Sequence, residues 1–429
     1  MRSPQLSLLL VLSFLILSVG LILQSQLLMI LILPLLSLFF LSSLYPSATT
    51  EGVRVRRKLS PRMSVGKGQI RVELEVTNLG RRRVEGLEVY DEVPEEARIE
   101  KGLNHFLLCL NPEETQTLTY TLQCDKRGHH RVGPTRLRLR DSLGLHVHEN
   151  IAKEVSAFSI LPEVERVGGP ELKPKRTGVW PGTISSRRSG EGIEFYGLRY
   201  YLPGDEPRRI NWKASARLSA LVANEFESEK VTDIALVIEA GTIFGDSPVG
   251  RLVVESEVKA AASLAAYLLR QGNRVGLIAY GKTRTWVPLD FGKKQLLRIM
   301  NHLTSVKAGR TMLSMDYVVN LLAPILFAPR SQVIVISPLA TPEIKMTVQS
   351  LAMMGYRMLV ISPFLRGGHA LGDGDEAAEM ALRILAIERQ NVILELSRIS
   401  RVVDWNPLVP LSATLKGARR WRIKPQEPR

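Results

Sequence analysis

The fold is decided by the apolar stretch Ile234-Ala235-Leu236-Val237-Ile238. A short run of this kind fits a strand buried on both faces, as in the centre of a parallel sheet. Comparable runs follow at residues 274–279, 333–336 and 358–361, and a last strand fits residues 402–405. Helical patterns lie between these runs, at residues 249–271, 293–304, 313–326, 342–354 and 376–396. This alternation predicts a doubly wound α/β domain over residues 231–406.

Residues 51–165 follow a different pattern. Residues 70–76 alternate strictly between apolar and polar side chains, which is the period of a half-buried strand. Similar short strands recur at a spacing of about ten residues, with turn residues between them. The pattern predicts an Ig-like β-sandwich. Residues 166–230 then read as a linker rich in Gly, Pro and basic residues, and residues 407–429 as a basic tail.

The first 50 residues are strongly apolar, and residues 6–44 carry no charged side chain. Two apolar runs, 6–23 and 27–44, are separated by Gln24-Ser25-Gln26. Each run is long enough to cross most of a hydrocarbon layer about 30 Å thick. We therefore predict a two-helix membrane hairpin with the lipid bilayer as a partner. A single long tilted helix is the alternative, and a signal peptide fits poorly because its apolar core is much shorter.

Basic residues flank this apolar segment on both sides. Arg2 precedes it, and a cluster of cations follows it: Arg54, Arg56, Arg57, Lys58 and Arg62. Positively charged flanks stay on the cytoplasmic side of a membrane. The pattern predicts a multi-pass protein of the cell membrane with two spans and with the bulk of the chain in the cytoplasm.

The linker ends in a dense block of turn, aromatic and charged residues, Arg199-Tyr200-Tyr201-Leu202-Pro203-Gly204-Asp205-Glu206-Pro207-Arg208-Arg209-Ile210-Asn211-Trp212-Lys213-Ala214-Ser215-Ala216-Arg217. We call residues 199–217 the signature block. Pro203-Gly204-Asp205 predicts a tight turn in which the Asp carboxylate accepts hydrogen bonds from backbone amides. Two roles for the block stay open, a partner contact and a clamp of salt bridges. The residues predicted to act in one of these roles are Arg199, Tyr200, Gly204, Asp205, Arg208, Trp212, Lys213 and Arg217.

Three parts of the chain together resemble the prokaryotic family known as domain of unknown function 58. They are the signature block, the α/β segment after residue 231, and the run Arg127-Gly128-His129-His130-Arg131-Val132-Gly133-Pro134 with the later Asp141-Ser142-Leu143-Gly144-Leu145. The resemblance covers most of residues 50–405. It implies a von Willebrand factor A-like domain, often behind two membrane helices, and a MoxR-type AAA+ ATPase as partner. It implies no catalytic activity.

The resemblance also implies a divalent-cation site, which A-like domains build from an Asp-x-Ser-x-Ser loop, a Thr and a second Asp. Here Glu239 stands for the first Asp, and Gly241 and Ile243 replace the two serines. Thr311 matches the Thr, and Pro338 replaces the second Asp. Hard cations need more oxygen ligands than this set retains, so we predict a degenerate site with no metal and no cofactor. The alternative is a displaced Mg²⁺ site that uses other oxygens, namely those of Thr242, Asp246 or Ser337.

The chain is basic, with 57 Lys and Arg against 42 Asp and Glu, a formal net charge of +15. The cations are scattered in short groups, and no recognisable nucleic-acid-binding module contains them. We therefore expect no nucleic-acid partner. Cys109 and Cys124 lack the spacing of a thiolate metal site and are predicted to be buried small hydrophobic residues. Four histidines lack accompanying carboxylate or cysteine ligands, so they do not predict a zinc site: His129, His130, His146 and His148.

The sequence contains no Gly-x-Ser-x-Gly elbow and no His-Glu-x-x-His pair. We therefore predict that the protein is not an enzyme. The prediction is a membrane-anchored cytoplasmic interaction scaffold that works with a MoxR-type AAA+ ATPase, as the resemblance implies. Two alternatives stay open. One is a membrane-associated hydrolase assembled from distant residues, and the other is an envelope-related scaffold without an ATPase partner.

Overall fold

The computed structural model describes residues 4–35, 37, 40, 50–140, 147–167, 185–229, 233–241, 247–309, 315–327, 331–364 and 376–418. The chain divides into two compact units, Met1–Leu161 and Pro162–Arg429. This boundary lies close to residue 165, where the sequence predicts the end of the β-sandwich.

The N-terminal segment contains helix α1, Pro4–Ile22, and helix α2, Gln26–Ile30. Within the described residues, no helix has both the length and the apolarity that crossing a membrane requires. The predicted two-helix hairpin and the two-span membrane localisation are therefore wrong. In the second apolar run, α2 ends after five residues, about 7.5 Å of helix, and a turn at residue 31 separates it from the helical residues 32–35. The end of that predicted span, residues 41–44, lies outside the described residues.

The first unit is built mainly from β-strands. Its described strands are β1 Val53–Ser60, β2 Met63–Val65, β3 Gly68–Asn78, β4 Val84–Asp91, β5 Ala97–Lys101, β6 His105–Leu110, β7 Thr115–Cys124, β8 Gly128–Val132, β9 Thr135–Arg140, β10 Val147–Ala152 and β11 Ser156–Leu161. They pair in the orders β1-β3-β7-β5, β10-β9-β4-β6 and β2-β11-β8. The alternation predicted for residues 70–76 is confirmed, because successive side chains of β3 alternate between buried and more exposed positions.

Two clusters of buried apolar side chains form the core of this unit. One cluster includes Val76, Val89 and Leu137, from β3, β4 and β9. The other includes Leu122 and Phe158, from β7 and β11. Alternate residues of each strand point to opposite faces of the sheet. Each sheet therefore buries its apolar face in the core and exposes its other face. The unit is therefore Ig-like in its sheets.

Arg57 corrects one part of the sequence analysis, which placed it among exposed cations beside a membrane. The Arg57 side chain is buried in β1 and pairs with the fully buried Asp91 of β4. Its Nε donates to Asp91 Oδ2 at 3.1 Å, and Nη2 forms a salt bridge with Oδ1. The hydroxyls of Tyr120 and Thr135 donate to the same carboxylate at 2.5 and 2.8 Å. Burial makes the largest contribution to raising the pKa of Tyr120, and the negative charge of Asp91 raises it further.

Backbone groups complete the environment of this guanidinium. Arg57 Nη1 donates to the carbonyl oxygens of Val132 and Glu154 at 3.0 and 2.8 Å. Gly133 approaches closely with φ +96°, and a Cβ at that position would lie 2.6 Å from Nη1. The Gly-Pro pair of the family resemblance thus packs against a buried Arg. The second part of that resemblance, residues 141–145, lies outside the described residues.

The cysteines and histidines of this unit occupy separate environments. Cys124 is buried as predicted, but the prediction is wrong for Cys109, which is exposed because it lies on the outward-facing side of β6. His130 stacks on Phe158 with ring centroids 5.3 Å apart, whereas His129 Nδ1 lies 2.8 Å from the Ser159 hydroxyl. The two neighbouring imidazoles therefore have different partners. His146 lies outside the described residues.

The second unit alternates strands and helices. Its described elements are β12 Ser185–Tyr200, α3 Trp212–Leu218, β13 Val222–Glu229, β14 Asp233–Glu239, α4 Pro248–Arg270, β15 Arg274–Tyr280, β16 Thr285–Asp290, α5 Gly292–Thr304, α6 Met315–Leu326, β17 Gln332–Ile336, α7 Pro342–Met353, β18 Arg357–Pro363, α8 Glu376–Leu396, β19 Arg401–Trp405 and α9 Leu411–Ala418. The helix α9 occupies part of the predicted tail, and its Leu411 and Leu415 are buried.

A six-stranded sheet in the order β16-β15-β14-β17-β18-β19 forms the centre of this unit. β16 is antiparallel to β15, whereas the other neighbours are parallel. β14, β15 and β17 are parallel, so their carboxyl ends lie at one edge of the sheet. The strand order reverses at β14. In open α/β sheets, this edge is where ligands bind.

Candidate functional site

The signature block lies between the strands of a two-stranded antiparallel ribbon, β12 and β13. It begins at the end of β12, continues through a 3₁₀ turn at Pro207–Arg209, and ends in α3. Ile210 forms an isolated bridge with Ala223 of β13. The region predicted as a linker therefore contains a folded motif whose main contacts are internal.

The predicted turn at Pro203-Gly204-Asp205 is confirmed. The Asp205 amide donates to the Leu202 carbonyl at 3.0 Å, and Gly204 has φ +108°, which a type II turn requires at this position. Asp205 Oδ2 accepts from the Leu202 amide at 2.9 Å. Arg199 donates to both carboxylate oxygens, at 2.6 and 2.7 Å. The hydrogen bonds from Arg199 lower the pKa of Asp205 most, and the hydrogen bond from the Leu202 amide lowers it further.

Three polar side chains attach α3 to the ribbon. Asn211 caps the helix, because its Oδ1 accepts from the Ala214 amide at 2.9 Å. Its Nδ2 donates to Asn224 Oδ1 at 2.8 Å. The Ser215 hydroxyl accepts from the Val222 amide at 2.9 Å. Neither Asn211 nor Ser215 was identified from the sequence, although an Asn just before a helix is a recognisable cap.

The outer face of the block combines aromatic and cationic side chains. Tyr200 is 70% exposed and Trp212 is 68% exposed, so neither residue anchors the block in a core. Arg208, Lys213 and Arg217 of the same block are also exposed, and they form no ion pair with the described part of the chain. We call these five residues the signature face. A clamp would bury such groups against the sheet. The two described ion pairs within the block, Arg199–Asp205 and Arg209–Glu206, each join residues close in sequence.

Glu239 lies at the carboxyl end of the central strand β14 and is almost completely buried. The hydroxyl of Ser337 donates to its Oε2, and the hydroxyl of Thr341 donates to its Oε1 at 2.5 Å. Burial raises the pKa of Glu239 to about 7, and the two hydroxyl hydrogen bonds offset part of this effect. The nearby charge of Glu343 raises this pKa further. A buried carboxyl group that titrates near neutral pH is thus placed at the sheet edge where sites form.

Glu257 of α4 is a second buried carboxyl group, which the sequence analysis missed. Its side chain is fully buried, and within the described structure neither carboxyl oxygen has a hydrogen-bond partner. Burial makes the largest contribution to raising the pKa of Glu257 well above the ordinary value, and the charge of Glu239 raises it further. The sequence contains the signal, because Glu257 lies three residues after Val254 and four before Ala261 on an apolar helix face.

Glu257 gives a direct stability prediction. Replacing it with Met should raise the free energy of unfolding by about 1–3 kcal/mol, because a buried polar group without a partner is replaced by an apolar one of similar size. Thermal and urea denaturation measure this change. Glu255→Met on the exposed face of the same helix is the matched control, with an expected effect below about 0.5 kcal/mol. A destabilised Glu257→Met protein would contradict the reasoning.

The described residues do not fit a hard-cation site. Both oxygens of Glu239 accept hydrogen bonds from hydroxyl groups, and Gly241 and Pro338 offer no side-chain oxygen. Within the described ranges, no group of three or more His, Cys, Asp or Glu is placed to hold a metal ion. The other residues of the predicted site and of its displaced alternative, except Ser337, lie outside the described residues: Thr242, Ile243, Asp246 and Thr311.

One nucleotide-loop pattern was overlooked in the sequence. Gly276-Leu277-Ile278-Ala279-Tyr280-Gly281-Lys282-Thr283 has the spacing of a phosphate-binding loop. In the structure, residues 276–280 belong to β15, and Leu277 and Ile278 are buried in the sheet. The Thr283 hydroxyl donates to the Ser305 carbonyl. The segment is a buried strand followed by a turn, so its amides do not form a phosphate cradle.

Comparison with known proteins finds a family match in the central part of the chain. Residues 197–364 match the family described as "Protein of unknown function DUF58". The match begins just before the signature block and ends after β18. YeaD of Bacillus subtilis, an uncharacterised protein, is 24% identical over 191 residues, which are 44% of this chain and 46% of YeaD. An uncharacterised protein of Mycobacterium tuberculosis is 30% identical over 148 residues, covering 32% of this chain and 45% of the relative.

The chain therefore spans just under half the length of these curated relatives. Among solved structures, a fragment of Escherichia coli alpha-2-macroglobulin matches 26% of this chain with 17% identity and a TM-score of 0.22. The CARDB domain of a Pyrococcus furiosus protein matches 25% of this chain with 22% identity and a TM-score of 0.18. Likenesses at this level do not bear on function.

Proposed function

We propose that this chain is a protein-interaction scaffold that binds an acidic partner protein through the signature face. The observation that carries the proposal is the exposure, within one block, of Trp212, Tyr200 and three cations that form no ion pair with the described part of the chain. Trp, Tyr and Arg contribute most strongly to protein interfaces. The Arg199–Asp205 pair stabilises the turn that carries this face. In this proposal its role is structural, and the pair does not contact the partner.

The partner we propose is a MoxR-type AAA+ ATPase, on the basis of the family resemblance. We also propose that the second unit is a von Willebrand factor A-like domain. The support is the strand order, which reverses at β14, together with the parallel strands and helices of a doubly wound sheet. Because the set Glu239, Gly241 and Pro338 does not fit Mg²⁺, this domain would bind its partner without a bridging cation. Calorimetric titration with Mg²⁺ tests that point, and stoichiometric binding would contradict it.

Charge reversal at the signature face tests the proposed contact. Arg208→Glu should weaken capture of a purified MoxR-type ATPase by about tenfold or more, because a cation that pairs with an acidic surface becomes a repelling anion. Trp212→Ala should have an effect of similar size through lost contact area. Binding is measured by surface plasmon resonance, and the melting temperature of each variant is measured in parallel.

Lys293→Glu provides the matched control, since Lys293 is an exposed cation at the start of α5. It should leave both capture and melting unchanged. An Arg208→Glu protein that melts at a lower temperature and still binds would favour the clamp role. Failure of the unmodified chain to bind any member of the ATPase class would reject the partner.

A further inference from the structure

The outer face of the sheet β1-β3-β7-β5 contains a cavity of about 340 Å³. This volume is at the lower end of the range for small-molecule sites, about 300–1,000 Å³. Most such sites are lined mainly by apolar side chains, but the lining of this cavity is polar and charged: Ser60, Gln69, Arg71, Glu73, Glu100, Lys101 and Thr121. Such a lining fits a small polar ligand. We call this site the β7 cavity.

Strand register forms the floor and the walls of the β7 cavity. Arg71 of β3 lies opposite Thr121 of β7, and Thr121 lies opposite Lys101 of β5. Residues paired across antiparallel strands lie on the same face of the sheet. Because neighbouring strands are about 4.8 Å apart, the backbones of Arg71 and Lys101 are about 10 Å apart. The short Thr121 side chain therefore forms a floor between two long cationic side chains.

A β-bulge adds a carboxylate to the lining of the cavity. The register between β5 and β7 shifts between Ile99 and Lys101, which leaves Glu100 as the extra residue. Bulges change the direction of side chains and are common beside functional sites. Glu100 Oε1 accepts a hydrogen bond from Gln69 Nε2 at 2.9 Å. This hydrogen bond holds the Glu100 carboxylate at the wall of the cavity.

Three charged side chains of the cavity have no counter-charge in the described chain, although neighbouring charges on the same sheet are paired. Lys58 lies opposite Glu73 in the register of β1 and β3, but its ammonium group pairs with Glu75 instead. Arg98 of β5 also forms an ion pair. The cavity residues that form no ion pair with the described residues are Arg71, Glu73 and Lys101. Their charged groups are available to a ligand.

The lining charges select the chemical class of the ligand. An anion alone would be attracted by Arg71 and Lys101 but repelled by the carboxylates of Glu73 and Glu100, and the reverse holds for a cation. A ligand with both charges satisfies both signs. Arg71 and Glu73 are two residues apart on one face of β3, about 7 Å along the strand, so a compact ligand reaches both. We propose that the β7 cavity binds a small zwitterion, whose acidic group is held by Arg71 and Lys101 and whose ammonium group is held by Glu73.

Calorimetric titration of the purified full chain tests the ligand class. The two probes are L-serine, a free amino acid, and phosphoethanolamine, a lipid headgroup that also carries an ammonium and an acidic group. At least one of them should bind with a dissociation constant of about 0.1–1 mM, as expected for so small a ligand, and the tighter probe identifies the source. Propionate and ethanolamine each carry one of the two charges and should bind at least about tenfold more weakly. Equal binding of a single-charge probe, or no binding of either zwitterion, would overturn the proposal.

Charge-neutralising variants test the residues that hold the ligand. Arg71→Gln and Glu73→Gln should each weaken binding of the zwitterion about tenfold or more, because each removes a charge-assisted hydrogen bond. Neither side chain is buried, so the melting temperature should not change. Arg98→Gln is the matched control, since Arg98 is an exposed cation of β5 whose ion pair lies outside the cavity. If Arg98→Gln weakened binding as much as Arg71→Gln, the effect would be one of overall charge and the site would be rejected.

A variant that fills the cavity tests its position. Thr121→Phe places an aromatic ring on the floor and should abolish binding, although every charged side chain of the lining is retained. Thr117→Phe is the matched control, because Thr117 is exposed on the same strand and does not line the cavity. It should bind the zwitterion as the unmodified chain does. Binding that survives Thr121→Phe would place the ligand elsewhere and contradict the proposal.

Discussion

Replacing Arg57 with Met should destabilise the first unit by about 3–5 kcal/mol, because it leaves the Asp91 carboxylate buried without its counter-charge. Asp91 is completely buried, and its remaining partners are the hydroxyls of Tyr120 and Thr135. Hydroxyl donors do not compensate for a lost guanidinium in a site from which water is excluded. All five tryptophans follow residue 161, so tryptophan fluorescence reports on the second unit. Far-UV circular dichroism during urea unfolding should therefore show an early β-sheet transition that tryptophan fluorescence does not follow.

Two further variants of the same unit make this expectation specific. Lys58→Met removes an ion pair with Glu75 in which the Lys58 side chain is well exposed. The substitution should therefore lower the free energy of unfolding by less than about 1 kcal/mol. The double variant Arg57→Met, Asp91→Asn should recover part of the loss of the single variant, because no buried charge remains. An Arg57→Met protein that is as stable as Lys58→Met would show that the buried pair adds nothing to the fold.

The elements of the α/β sheet were predictable because their patterns are local. The helical pattern at residues 376–396 coincides with α8, and that at residues 293–304 differs from α5 by one residue. The buried stretch at residues 234–238 lies within β14. A central strand covered on both faces leaves an uninterrupted apolar run, which few other structures require. β16 was missed, because an edge strand is only half covered and contains Pro288.

The candidate site was less predictable, because its contacts join residues far apart in sequence. Glu239 was identified at the end of its strand, but Thr341 lies 102 residues away and has no local pattern that pairs it with a carboxylate. Arg57 was assigned to a membrane flank because it stands among other cations, although Asp91 lies 34 residues later. Composition alone also led to the membrane hairpin, since an apolar run does not reveal where its helix ends.

The free energy of unfolding should depend on pH through the titration of Glu239. Its pKa rises from an ordinary value of 4.5 in the unfolded chain to about 7 in the folded chain, so the folded state binds the proton more tightly. The resulting stabilisation is complete below pH 4.5 and is lost as the pH rises through 7. Over that window, the difference corresponds to about 3 kcal/mol. Glu239→Gln does not titrate, so its free energy of unfolding should vary less between pH 5 and 8.

The test compares urea unfolding, followed by tryptophan fluorescence, at several pH values for the unmodified chain and for Glu239→Gln. Glu255→Gln on the exposed face of α4 provides the control and should retain the original pH profile. The surroundings of Glu239 reinforce the expected sign, because the charge of Glu343 raises the pKa of Glu239. Burial raises the pKa of the neighbouring Glu257 in the same direction. If Glu239→Gln lost stability as steeply as the unmodified chain between pH 5 and 8, the titrating group would lie elsewhere. The Glu239 carboxyl would then be ionised throughout, which two hydroxyl donors could support only if water or a cation also reached it.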